Sequence, residues 1–206
     1  GRGLTDEEEQ VMRDNNVPNW YIKSCKKINY MFPKAHAAAY VMMAFRIAYF
    51  KVHYPKAFYT TFFTIKADDF DAQIVLQGRE HIEKVIQDIR AKGNDATAKD
   101  NNTRVVLEIV IEALTRGIEF APVDIYESKA YEFKLTDDGR LLPPLISLDG
   151  IGNSAAQNLA DAREEGEYTS IENLKNRASA SKTVIEALRL HGCLEGLPET
   201  NQLSLF

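Results

Sequence analysis

Seven consecutive residues, Leu148-Asp149-Gly150-Ile151-Gly152-Asn153-Ser154, carry the most mechanistic pattern in the sequence. Two glycines around one apolar residue allow a tight turn and leave no side chain to block a close approach. A helical pattern follows over residues 155–163. Backbone N–H groups at the turn (Gly150, Gly152) and at the helix start (Asn153, Ser154) then point outward, where a phosphate oxygen is stabilised. Ile151 between the glycines anchors the turn in a core. Contacts of this kind hold a phosphodiester backbone without reading bases.

The residues around the turn, Leu145, Leu148, Ile151, Ala155, Leu159 and Arg163, fit a complete helix-hairpin-helix motif better than a plain glycine-rich turn. Residues 170–192 read as a degenerate second copy. Ile171 and Leu174 lie on one helix, Ser179-Ala180-Ser181-Lys182 form the turn, and Val184, Ile185 and Leu188 lie on the next. Ser181 caps that second helix, and Lys182 stands where a phosphate would lie. A third motif is Gln202-Leu203-Ser204-Leu205-Phe206, an apolar tail after a polar stretch. A buried Leu or Phe is worth ~1.5–3 kcal/mol, so a partner or the chain's own surface should cover it. Nothing in the spacing of His, Cys, Asp and Glu suggests metal catalysis. Asp68-Asp69 and Asp137-Asp138 read as a loop and a hairpin turn, and His53, His81 and His191 are scattered singly.

The elements that must position these groups are mainly helical. Thr5 with Glu8 forms a capping box for a short acidic helix ending near Asn15-Asn16. Pro18 opens a second segment that Phe32-Pro33 interrupts, because a residue before proline avoids helix geometry. From Ala35 to His53 the sequence is apolar on almost every side, the mark of a helix packed within a larger body, and Pro55 ends it. Residues 79–91 place Ile82, Val85, Ile86 and Ile89 on one face with Gly93 as stop. Asn94–Asn102 reads as a polar linker, after which Thr103 caps a helix to about Arg116. Residues 118–126 and 130–135 then read as short strands, with Asp138-Gly139 a hairpin turn before Leu141-Leu142. The expected fold is mainly α with a small β element. Its segments are a helical part at 1–117, a β-hairpin connector at 118–144, a tandem helix-hairpin-helix domain at 145–194 and an extended tail at 195–206.

Composition sets the outer bounds. The chain has 206 residues, 45% of them hydrophobic, and a formal net charge of −5, which excludes a wholly disordered or collagen-like chain. Two distant cysteines, Cys25 and Cys193, offer no disulfide framework, so a reducing cytoplasmic setting is expected. The most apolar stretch, Ala35 to Ala44, is too short to span a bilayer. A first residue that is not Met suggests an excised fragment. Charge is unevenly spread: residues 20–66 hold eight basic residues and no acidic one, whereas residues 145–206 hold five basic and nine acidic. The basic stretch, with Tyr and Trp interleaved, could form a phosphate-binding face or simply be buried helix. The acidic tally of the last block implies modest affinity from its hairpins alone.

The string Phe32-Pro33-Lys34-Ala35-His36-Ala37-Ala38-Ala39-Tyr40 closely resembles a motif of the C-family bacterial replicative DNA polymerases. With Trp20–Ile28, Lys92–Ala96, the glycine hairpin and the terminal Gln-Leu-Ser-Leu-Phe, the whole sequence resembles the C-terminal end of the PolC-type DNA polymerase III alpha subunit of low-GC Gram-positive bacteria. The resemblance implies that residues up to about 117 belong to the fingers, with Lys34, His36 and Tyr40 near the template and incoming dNTP. The hairpins, through Gly150, Ile151, Gly152, Asn153, Ser154, Ser181 and Lys182, would grip duplex or primer-template DNA. Gln202, Leu203, Leu205 and Phe206 would plug into the beta sliding clamp. The catalytic aspartates that hold Mg²⁺ lie in the palm of such enzymes, outside this sequence. No catalytic residue, metal site or cofactor is therefore expected here, and the chain alone should be inactive.

Expected partners are DNA, the nucleotide in the parent DNA-directed DNA polymerase (a nucleotidyltransferase), the clamp and the rest of the polymerase chain, with no membrane. The expected location is the bacterial cytoplasm, at the nucleoid and replisome. A stand-alone DNA-binding adaptor with a clamp tail is the rival reading, though such an adaptor has no need of the Phe32–Tyr40 string. A purely structural helical scaffold is the third.

Overall fold

Capping chemistry sets the first elements of the computed structural model, which describes residues 3–27 and 34–201. Thr5 accepts from the Glu8 N–H while the Glu8 carboxylate accepts from the Thr5 N–H, so the expected capping box opens α1 (Asp6–Asp14). Helix α2 (Asn19–Lys27) follows Pro18 and buries Ile22, and Lys26 pairs with Glu9 of α1. The Phe32-Pro33 break lies outside the described residues. Helix α3 (Lys34–His53) is continuous for 20 residues. The chain divides into two compact units, Gly1–Tyr49 and Phe50–Phe206.

Helix α3 ends at His53, just before Pro55, as its sequence predicts. All its described residues from Lys34 to Phe50 are exposed, Phe45 at 71%. Its apolar residues run all round the helix. Pro55 also does more than end a helix. It opens α4 (Pro55–Ile65) at once as the first helical residue, a position where proline's missing N–H is no loss.

In the second unit, α4 presents Tyr59 and Phe63 to the core, both at 0% exposure. Helices α5 (Ala72–Leu76) and α6 (Arg79–Ala91) follow, α6 burying Ile82, Ile86 and Ile89 as its spacing predicts. The polar linker expected at 94–102 is in part helix. Thr97, not Thr103, caps α7 (Ala98–Thr115), through a capping box with Asp100. Lys92 and the Thr97 hydrogen bonds hold Asp100 down at about 2, so the cap stays charged.

The β element is smaller than expected. Strands β1 (Lys134–Leu135) and β2 (Leu141–Leu142) pair antiparallel around the Asp138-Gly139 turn, but 118–126 is no strand. There the chain only bridges Phe120 to Leu141, with Ala121 N–H donating to the Leu141 carbonyl at 2.8 Å. Pro122 lacks a donor, and Asp124 then folds the backbone into a local turn by accepting from the Tyr126 and Glu127 N–H groups. Phe63, Phe70, Phe120 and Phe133 form an aromatic centre, ring centroids 4.9–5.7 Å apart. From it one hydrophobic cluster runs through Leu145, Leu148 and Ile151 to Leu188 and Leu194. Helices α8 (Asn153–Ala162), α9 (Ile171–Arg177) and α10 (Lys182–Leu190) complete the unit.

One residue ties the end of α10 to the loop before β1. The Val123 N–H donates to His191 Nε2 at 3.1 Å, which requires a neutral imidazole. Burial lowers the His191 pKa below its ordinary value, with Asp71 acting weakly the other way. Below the unfolded pKa of about 6.5 the unfolded chain takes up the proton first, so this stabilisation is complete above it and lost as pH falls. The melting temperature should therefore drop between about pH 7.5 and about pH 5.5, and less so in His191→Gln, which accepts the same hydrogen bond without titrating. Equal drops in the two proteins would exclude His191 as the cause. Beside it, Cys193 Sγ donates to the Val123 carbonyl at 3.2 Å, and burial pushes this thiol up to about 12.

Candidate nucleic-acid interface

The hairpin turn is built as the two glycines require. Ile151 N–H donates to the Leu148 carbonyl at 3.0 Å, and Gly150 takes φ +90°, a conformation costly for any residue with a Cβ. Ile151 is buried at 5% exposure and pins the turn to the core. A Cβ on Gly150 would meet Thr183 Cγ2 at 3.4 Å and Ala187 Cβ at 3.7 Å. The turn thus backs onto the first turns of α10, which brings Ser181 and Lys182 into the same neighbourhood.

Gly152 differs in kind. Its φ is −87°, open to every residue type, and a Cβ there would have nothing within 4 Å. It is the N-cap of α8, and no side chain caps this helix. Asn153 and Ser154, in the first turn, are exposed. The helix start therefore offers its amide donors to an outside acceptor, with no side chain in front of them. Tyr131 steadies it, its hydroxyl donating to the Asn153 carbonyl at 2.9 Å. Sequence reasoning missed this residue, and nothing in its spacing marks it.

The backbone of 179–181 repeats this plan with other residues. Ser179 has φ +49°, Ala180 is buried and Ser181 is the N-cap, in the order of Gly150, Ile151 and Gly152. In each case the positive-φ residue stands three positions before the first residue of the next helix. The difference is at the cap: Ser181 Oγ accepts from the Val184 N–H at 3.3 Å, so one amide of α10 is already used. Lys182 projects into solvent with its side chain 89% exposed, 3.7 Å from Glu186.

Other basic groups serve the fold. Arg163 donates to the Ile125 and Ser128 carbonyls at 3.0 and 2.6 Å. Arg177 donates to the carbonyls of Ala162, Gly166 and Glu167 and lies over the Tyr168 ring. In the basic stretch Lys51 meets Glu112 at 2.8 Å and Lys66 meets Asp69 at 3.5 Å. The glycine turn also lines an open concavity of about 270 Å³ together with Asp68, Asp69, Asp71 and Lys99. Lys99 reaches Asp149 at 3.6 Å, Asp71 caps α5, and the negative charge of the carboxylates beside the turn weakens the hold on any phosphate there.

Lys34, His36 and Tyr40 lie on the first turns of α3, all exposed, with the His36 and Tyr40 rings 4.3 Å apart between centroids. They belong to the first unit. Gln202, Leu203, Leu205 and Phe206 lie outside the described residues. Among the described residues, no group of three or more His, Cys, Asp or Glu is arranged to hold a metal ion, and no helix is long and apolar enough to cross a membrane.

Comparison with known proteins agrees with this geometry. Residues 117–203 match the family model of the helix-hairpin-helix motif, which takes in the β-hairpin as well as α8–α10. All 206 residues align with the DNA polymerase III PolC-type of Caldanaerobacter subterraneus subsp. tengcongensis at 58% identity, of Bacillus subtilis at 55% and of Clostridium perfringens at 52%. The chain spans only 14–15% of the length of these relatives. A mainly helical chain with an uncapped glycine hairpin is thus similar, over its whole length, to one segment of the PolC-type DNA polymerase III of these bacteria.

Proposed function

We propose that this chain is the segment of a bacterial DNA-directed DNA polymerase that holds the duplex while synthesis proceeds elsewhere in the enzyme. The observation that carries the reading is the open start of α8, whose Gly152 leaves the amides of the first turn unscreened. The hairpin takes a backbone phosphate through these N–H groups, and the second turn adds Lys182 from the same side. Residues 1–117 serve as part of the fingers, with Lys34, His36 and Tyr40 toward template and nucleotide. The last five residues tether the enzyme to a sliding clamp by burying Leu203, Leu205 and Phe206 in an apolar pocket. Two weak holds in one chain can exceed either by ~10²–10⁴. Nucleotidyl transfer and its Mg²⁺ belong to the rest of a cytoplasmic, replisome-bound polymerase, so the chain alone binds without polymerising.

Anisotropy of a labelled primer-template duplex, titrated at several salt concentrations, tests this. Saturable binding with a negative salt slope is expected. Lys182→Ala should weaken it a few-fold and reduce that slope by about 1, the signature of one lost phosphate contact. Binding that ignores salt, or a slope untouched by the substitution, would remove Lys182 from the interface.

A further inference from the structure

The residues just before the tail motif are fastened to the hairpin block. Ile171 and Glu172, the first two residues of α9, donate their N–H groups to the carbonyls of Pro198 and Glu199 at 2.9 and 3.0 Å. The third amide of that helix, on Asn173, donates to the Ser170 cap. Every free donor of the first turn of α9 is thus satisfied, two of them by the chain about 27 residues further on. Arg189 of α10 adds a 2.7 Å contact to the Glu199 carboxylate, and Leu197 packs against the core. Freeing this segment would strand two helix-start amides, so it is held more firmly than its exposed Arg189–Glu199 pair alone would hold it.

We propose that Leu197–Glu199 is an anchor that gives the tail a fixed point of departure, with Arg189 and Glu199 as positioning residues. Only Thr200 and Asn201 separate the anchor from Gln202. Three Cα steps reach at most ~11 Å. The partner that buries Leu203, Leu205 and Phe206 is therefore held close against the face where α9 begins. This inference rests on the clamp-tethering reading above and adds its geometry: the tether is a short strap that sets the clamp's place relative to the gripped duplex. A longer linker would still bind the clamp, but would spread it over a larger volume and lower the effective concentration.

Two measurements on the 206-residue chain test it. Amide exchange followed by NMR should show Ile171 and Glu172 protected, and at least tenfold faster in a chain ending at Leu197, with Asn173 unchanged. Equal rates in the two chains would overturn the anchor. Second, about eight Gly and Ser residues inserted between Asn201 and Gln202 should leave affinity for purified clamp alone within about twofold. Affinity for clamp in the presence of primer-template duplex should fall about 5–10-fold. An unchanged joint affinity would overturn the strap, whereas clamp binding that survives the Leu203→Ala/Phe206→Ala double variant would overturn the tethering reading itself and the strap with it.

Discussion

Gly152→Asp should leave the second unit at least as stable as before while costing the chain about 30–100-fold in duplex affinity. The two effects separate because the position is conformationally undemanding but chemically exposed. At φ −87° with no atom near its Cβ, residue 152 accepts any side chain. As the N-cap of α8 it should favour Asp over Gly by a few tenths of a kcal/mol, with a further contribution from the helix dipole. The same carboxylate would occupy the amides that a phosphate needs and repel the phosphate as well. Loss of one or two hydrogen bonds to a charged group, at about 1.5–3 kcal/mol each, gives the expected change in affinity. Gly150→Ala should behave oppositely. Its φ of +90° and its 3.4 Å approach to Thr183 predict a lower melting temperature first and weaker binding only as a result. Thermal melts and duplex titrations of both proteins settle the matter. A Gly152→Asp chain that keeps its affinity places the phosphate elsewhere.

Phe63→Ala should cost about 3–5 kcal/mol, the range for emptying a buried aromatic site. The ring is fully buried and meets Phe70, Phe120 and Phe133 at centroid distances of 5.4, 5.4 and 5.7 Å. It joins α4 to the loop before β1, where Phe133 N–H also donates to Thr64 Oγ1 at 3.0 Å. No other described residue links three later aromatic rings in this way to α4. For a unit of this size each kcal/mol is worth ~2–4 °C, so the melting temperature should fall by roughly 10 °C or more. By comparison the partly exposed Lys51–Glu112 pair is worth at most about 1 kcal/mol. A calorimetric shift for Phe63→Ala as small as that of a Glu112→Gln control would mean that the aromatic centre is not what holds the unit together.

Local patterns were legible in the sequence to the extent that their chemistry is local. Thr5 and Glu8 declare their helix in four residues, and the isoleucine spacing of α6 declares its buried face. The turn at Gly150 was legible because its positive φ suits glycine and the apolar residue after it is buried. Where two signals competed, the wrong one could win: Thr103 drew the helix start that Thr97 and Asp100 make. Alternating apolar residues at 118–126 read as a strand, although one bridge at Phe120 is all the pairing they find. Proline at 55 ends α3, as read, and its second role as the first residue of α4 was not legible. Long-range backbone contacts left no trace at all. Nothing in the spelling of Pro198-Glu199 says that their carbonyls meet α9, and nothing around Gly150 names Thr183 as its neighbour.

The thiol of Cys193 has a use that its packing role conceals. At neutral pH a thiol raised to about 12 is almost wholly protonated, and only the thiolate is alkylated or oxidised at an appreciable rate. While it donates to the Val123 carbonyl it is chemically silent. It becomes reactive only in those molecules where the segment after α10 has parted from the loop before β1. Alkylation of Cys193 therefore counts openings one by one, and turns a small contact at the edge of the core into a clock for the breathing of the unit that carries the hairpins.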